Sequence, residues 1–325
     1  MGAGPVIAIG VIVLPILMSL GIPKAIAMFT FMGSVSAGMY LNPVLQFSQL
    51  RAFICASDEM PDFSFSWYTS HWGIYALIIS VVVVSVLTGI YLKIGKKSHA
   101  WAAQAAPKNT QTDAPLIALI LPIVPVVLKI WLDFSVIGGF VIAGFAALFL
   151  CGKMNKSFKE NCQLVNKLYY DGVVDTAPLV GFLLTLPMFN TCASYASPYF
   201  KEVLGGIMPT NEYVVCALFA ALSILGFFRG PLTLYGCGAA TLGVLSSVGH
   251  FSVPFLFCVF TIPATTVNVG SCITQSWIAW GLAYTKVESR DYLKLSIPFA
   301  YICSILLYIL TAFTVTGLGP EWFLA

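Results

Sequence analysis

Charge is what this sequence has least of. Its 16 Lys and Arg and 13 Asp and Glu amount to 9% of 325 residues, against roughly 25% in soluble domains. With 59% hydrophobic residues, a water-soluble fold is excluded and the chain reads as an all-α polytopic membrane protein. The net charge of +3 comes from short basic clusters between apolar runs. These act as orientation signals in a bilayer and leave no nucleic-acid footprint. Histidine is scarce: His71, His99 and His250 sit at the edges of apolar runs and form no ligand cluster. Nine cysteines occur without a CxxC spacing, so free thiols among apolar residues are expected, with no structural metal. A Walker loop, HExxH, a GxSxG elbow and paired carboxylates on one helical face are all missing, so no enzyme is expected. Deep inside the apolar runs there is no Asp, Glu, Lys or His, the groups on which carboxylate relays and voltage sensors depend.

What is present in abundance is long apolar sequence. One crossing takes roughly 20 residues, and about ten runs fit: 5–22, 25–50, 72–92, 115–132, 135–151, 173–188, 213–228, 231–248, 251–283 and 295–318. Basic stretches at 93–108 and 153–167 mark cytoplasmic loops, and the acidic stretch 55–71 falls on the other side. The pattern predicts a multi-pass protein of the cytoplasmic membrane with both termini outward. Runs 25–50 and 251–283 exceed one crossing and are interrupted by Gly, Pro and Asn. They are expected to be broken helices or re-entrant hairpins.

A shift of 226 residues aligns Gly4, Pro5, Gly10, Phe29, Phe31, Asn42 and Gln49 with Gly230, Pro231, Gly236, Phe255, Phe257, Asn268 and Gln275. On the predicted topology the two copies run in opposite directions, which makes an inverted repeat. The first repeat covers 1–92, with a core at 4–50 and a span at 72–92. A cytoplasmic linker covers 93–113. The second repeat covers 114–325, with scaffold-like spans at 115–228, a core at 229–284 and a last span at 295–318. Four spans precede the second core and none the first, so upstream helices are expected to be missing, unless the asymmetry is natural.

The two long runs carry the candidate chemistry. Their polar breaks read GSVSAGMYLNPVLQFSQ and PATTVNVGSCITQS. Breaking a helix frees carbonyls at one end and N–H groups at the other, placing a cation site beside an anion site. Asn42 and Asn268 stand first among the candidates, followed by Ser34, Ser36, Thr265, Thr266 and Ser271, with Gln49 and Gln275 facing the site or capping the short helices. The competing reading makes the same residues hydrogen-bonding glue between helices. A third break, PMFNTCASYASPYF, offers Asn190, Thr191, Ser194 and Ser197 as a site wall or an ordinary loop. Arg229 either attracts a carboxylate or snorkels to the cytoplasmic face. Asp171 and Asp175 read as helix N-terminal caps.

The blocks FRGPLTLYGCGAATLGVL and ATTVNVGSCITQSWIAWGLAYTKVESRDYLK, with the opening GAGPVIAIGVIVLPILMSLGIPKAIAMF, resemble carriers of the ion transporter superfamily, which includes gluconate, citrate and C4-dicarboxylate permeases. The resemblance implies a secondary transporter of a small organic anion, typically a homodimer, coupled to Na+ or H+ and otherwise without cofactor. It implies substrate and coupling ion bound at two hairpin tips bearing Ser-Asn-Thr-like motifs. The positions nearest those tips are Asn42 with its serines, and Thr265, Thr266 and Asn268. Neither copy reads Ser-Asn-Thr outright.

Overall fold

The computed structural model of the chain describes residues 3–55, 62–95, 115–132, 134–154, 157–174, 209–248 and 250–319, with single positions 188, 191, 192, 195, 199 and 322. The described elements are all helical. They group into two compact units, Met1–Gln104 with Leu184–Ala325, and Ala105–Leu183. This grouping follows packing rather than sequence order, because it takes 115–174 out of the stretch assigned to a second repeat and joins the rest of that stretch to 1–92.

In the first unit, α1 (Ala3–Ser19) leads into α2 (Lys24–Met39) through Gly21, whose φ of 82° only glycine adopts cheaply. After α2 the chain takes a wide π-helical turn, Pro43–Ser48, and a short α3 (Gln49–Ile54). It resumes at α4 (Phe65–Tyr68) and continues through Thr69–Gly73 into α5 (Ile74–Gly95). The second unit holds a 3₁₀ segment Leu116–Ile123, α6 (Val124–Leu132), α7 (Val136–Leu150) and a helix over 158–174, α8. The first unit then continues with α9 (Glu212–Ala221), α10 (Gly238–Val248), α11 (Val253–Ile262), a π-helical turn Pro263–Val269, α12 (Ser276–Thr285) and α13 (Ser289–Thr314).

Two helices among the described residues are long and apolar enough to cross a membrane, Phe65–Ile94 and Ser289–Thr314. A third qualifies if Glu212–Ala221 and Ser223–Arg229, bent by 64° at their junction, count as one. The other apolar runs stop short for identifiable reasons. Run 25–50 breaks at Tyr40–Asn42, before Pro43, and in run 251–283 the α-helix gives way at Pro263 to a π-helical turn, since proline removes an N–H and clashes with the preceding turn, with helical structure ending only before Cys272. Run 231–248 is helical only from Gly238. Before it the backbone folds so tightly that a Cβ on Gly236 would lie 2.0 Å from the Arg229 carbonyl oxygen. Phe228 and Arg229 there hold φ of 53° and 59°, a strained pair for residues with side chains. Most of run 173–188 lies outside the described residues.

Helix α11 is the axis of the first unit. Every residue from Val253 to Ile262 is buried, the signature of a helix apolar on all sides. Around it sit α3, α9 and α13. An aromatic cluster closes one end, where Phe47, Phe63 and Tyr68 surround Phe257 at centroid distances of 5.1–5.2 Å. Close approach elsewhere depends on small residues: a Cβ on Gly281 would meet Met28 Cε at 2.4 Å. The outer faces of α1, α5 and α13 expose Ile12, Ile16, Val82, Val86 and Ile309, an apolar surface of the kind a helix presents to hydrocarbon.

Candidate functional site

The two breaks meet. Pro43–Ser48 and Pro263–Val269 wind more widely than an α-helix, with the Phe47 N–H reaching back five residues to the Asn42 carbonyl at 3.1 Å. Such π-helical turns release carbonyls from the regular ladder and recur at functional sites. The second turn is buried throughout, so its released groups need partners from within the protein.

Side chains supply them. Ser36 Oγ donates to the Thr265 carbonyl at 3.1 Å. Ser271 Oγ lies 3.2 Å from the Thr266 carbonyl and 3.3 Å from that of Ser296. Trp277 Nε1 donates to the Val269 carbonyl at 3.2 Å, and the Tyr292 hydroxyl to that of Gly270 at 2.6 Å. Across the break, the Tyr40 hydroxyl pairs with Thr266 Oγ1 at 2.5 Å, and Gln46 Nε2 donates to Thr265 Oγ1. Asn268 is held from both ends. Its Nδ2 donates to Thr233 Oγ1 at 3.3 Å and its Oδ1 accepts from Gln275 Nε2 at 2.5 Å. Ser36, Gln46, Thr233, Thr265, Thr266, Asn268, Ser271, Gln275 and Ser296 are all buried. In a low-dielectric interior such a network is rigid when complete and unstable wherever a member lacks a partner.

One member lacks one. Gln46 is 1% exposed, and its Oε1 has no hydrogen-bond partner among the described residues. Turning the amide over leaves its NH₂ group unpartnered instead. A desolvated, unmatched group of this kind costs about 1–3 kcal/mol, and an ion, a ligand group or a water in contact with it removes the penalty.

Of the residues singled out from sequence, Ser36, Thr265, Thr266, Asn268, Ser271 and Gln275 come together here. Ser34 and Asn42 do not. Ser34 is exposed on α2 and bonds back to the Thr30 carbonyl of its own helix at 2.8 Å. Asn42 is half-buried, and its Oδ1 accepts the Val44 N–H at 3.0 Å, a local turn that shapes the break. Gln49 is exposed on α3 and Asp171 on α8. Arg229 is turned into its own loop, its Nη1 donating to the Tyr235 carbonyl at 3.0 Å. In the third break Thr191 is exposed; Asn190, Ser194 and Ser197 lie outside the described residues, as does Asp175.

No family model, curated protein or solved structure matches the chain. The site is therefore defined by its own geometry. Sequence reading passed over Tyr40, Gln46 and Thr233, and only Tyr40 carried a usable signal: it stands at the 226-residue shift from Thr266, the residue it touches.

Among the described residues no group of three or more His, Cys, Asp or Glu is arranged to hold a metal. The donors in place are neutral hydroxyls, amides and carbonyls. They suit a weakly held alkali cation or a carboxylate better than a transition metal, which favours thiolate or imidazole.

Proposed function

We propose that this chain is a secondary active transporter that moves a small organic anion, a carboxylate, across the cytoplasmic membrane by alternating access. The observation that carries the reading is the meeting of two helix breaks over a buried network with one unmatched acceptor, Gln46 Oε1. In this reading the carboxylate rests against the N-terminus of α12, where Gln275 stands at the cap position without capping it. A coupling Na+ or proton offsets its charge beside Gln46 and Thr265.

The finer architecture belongs to the same proposal: about ten spans, both termini outward, a homodimer, and an inverted repeat. Two observations support the repeat. Helix, break, short helix and long helix follow in the same order in α2 to α5 and in α11 to α13. The Tyr40–Thr266 pair joins positions equivalent under the 226-residue shift, as residues close to a pseudo-two-fold axis would.

The test is uptake of radiolabelled mono-, di- and tricarboxylates into proteoliposomes holding the purified full chain. Saturable uptake of one class is expected. Conductance without saturation would point to an anion channel, and chemical conversion of the label to a membrane-embedded enzyme; either outcome refutes the carrier.

A further inference from the structure

The unit Ala105–Leu183 carries a feature unconnected with the buried network. Helix α7 reads VIGGFVIAGFAALFL, without a polar residue, and ends in a glycine cap. Gly152 holds φ at 65°, its N–H donates to the Phe149 carbonyl at 3.0 Å, and the Lys153 N–H donates to that of Leu148 at 3.0 Å. This pair of bonds is the Schellman arrangement, which ends a helix and redirects the chain. Helix α8 begins five residues later, and Asn161 Nδ2 ties it to the turn through the Met154 carbonyl at 3.0 Å.

At 100° per residue, Phe158, Cys162, Val165 and Tyr169 share one face of α8, while Lys159, Gln163 and Lys167 run along the flank that begins beside it. The apolar face, Phe145 of α7 and Met154 of the turn line a groove of about 520 Å³, bordered by Asn161 and Asn166. A second hollow of about 600 Å³ shares Phe145, Val165 and Tyr169 with it and extends to Phe140 and Lys153. The groove is open along its side, with Phe158 85% and Tyr169 68% exposed.

We propose that this groove binds an anionic phospholipid, with an acyl chain laid between α7 and α8 and the headgroup at Lys153 and Lys159. The lining is graded along its length. It is apolar from Phe140 onward and reaches the Lys153 ammonium where α7 ends, the same polarity profile as a lipid with a negative head. The charge fits as well. Among the described residues of the turn and the first turns of α8, Lys153 and Lys159 stand with a single acid, Glu160, while Lys167 has Asp171 one turn on, and each basic residue near a membrane surface favours anionic lipid. A basic amphipathic helix following directly on an apolar one is the arrangement that lies in the interface plane.

The test places a photoreactive benzophenone side chain at Phe158 of the full chain, reconstituted in nanodiscs of phosphatidylcholine with a minority of phosphatidylglycerol. The same probe at the exposed Ile309 of α13 reports the bulk lipid ratio. Intact mass spectrometry should find phosphatidylglycerol adducts at position 158 enriched several-fold over those at Ile309. A Lys153→Ala/Lys159→Ala variant should lose the enrichment while keeping phosphatidylcholine adducts. Adducts in the bulk ratio, crosslinks only to this chain or a second copy, or no adduct at 158 would each overturn the proposal. Because α8 is exposed and the readout is lipid adduct formation, the result is independent of whether the chain transports anything.

Discussion

Asn268 and Gln46 are the two side chains on which the account of the site rests, for opposite reasons. Asn268 is fully matched, so Asn268→Ala strands both Thr233 Oγ1 and Gln275 Nε2 in a dry interior. Each loss costs about 1–3 kcal/mol. We expect a melting temperature lower by several degrees and uptake reduced at least tenfold (about 1.4 kcal/mol), read by thermal unfolding in detergent and by initial uptake rate. Gln46 is mismatched, so Gln46→Leu removes an unsatisfied acceptor. It also removes the bond to Thr265 Oγ1, a loss of similar size to the gain, so the variant should melt within a few degrees of the parent yet lose the dependence of uptake on the coupling ion. If its ion dependence is unchanged, Gln46 has no part in coupling. Ser34→Ala, at an exposed hydroxyl bonded within its own helix, should stay within about 0.5 kcal/mol and transport normally. At this scale the sequence was readable where the signal was a small polar residue inside an apolar run, as at Thr265, Thr266 and Asn268. It was not readable at Gln46, and at Tyr40 only through the 226-residue shift to Thr266. A tyrosine passes as part of an apolar pattern, and which side of a π-helical turn faces its partner is settled by the break itself.

At the scale of elements, the breaks matter more than the helices they interrupt. Pro263 lies where α11 stops and the π-helical turn starts, and a proline inside a helix costs about 3 kcal/mol. That cost is met by packing and by the network of side-chain donors. Pro263→Ala should therefore raise or preserve the melting temperature while slowing uptake, because it lets the ladder close over carbonyls that the site needs. Faster uptake in that variant would refute a functional role for the break. Gly270 tests the contact between the two halves. A Cβ there would lie 2.7 Å from Ser36 Cβ, and overpacking of that kind costs about 1–3 kcal/mol. Gly270→Ala should lower the melting temperature, and adding Ser36→Gly should restore only part of it, since that change relieves the overlap but removes the bond to the Thr265 carbonyl. The long helices were legible in advance: runs 72–92 and 295–318 coincide with α5 and α13, whose continuous apolar sequence leaves few alternatives. Run 231–248 was not, because Gly230, Gly236 and Gly238 serve a backbone so tightly folded that no side chain fits, and hydropathy does not distinguish that use of glycine from close helix packing.

For the molecule as a whole, apolar composition predicted an all-helical chain, and the described elements are helical with at least two of membrane-crossing length. The grouping into units was hidden from sequence. It depends on which helices pack together, and α2 packs on α13 more than 200 residues away. What joins them is polar as well as apolar. Trp72 Nε1, in the turn that leads into α5, donates to Thr311 Oγ1 at 3.0 Å and the Tyr91 hydroxyl of α5 to the Leu295 carbonyl at 3.0 Å, bonds that tie this long helical segment to α13 near both of its ends. The proposed carrier mechanism needs the breaks to act together on one substrate and one ion. The most direct measurement is accumulation of a radiolabelled carboxylate in proteoliposomes under an imposed Na+ or proton gradient, with the parent chain and Asn268→Ala side by side. The account predicts saturable accumulation above equilibrium that collapses when the gradient is dissipated and falls at least tenfold in the variant. Accumulation that survives dissipation of both gradients, equal accumulation by the variant, or no carboxylate flux from well-folded protein would contradict it.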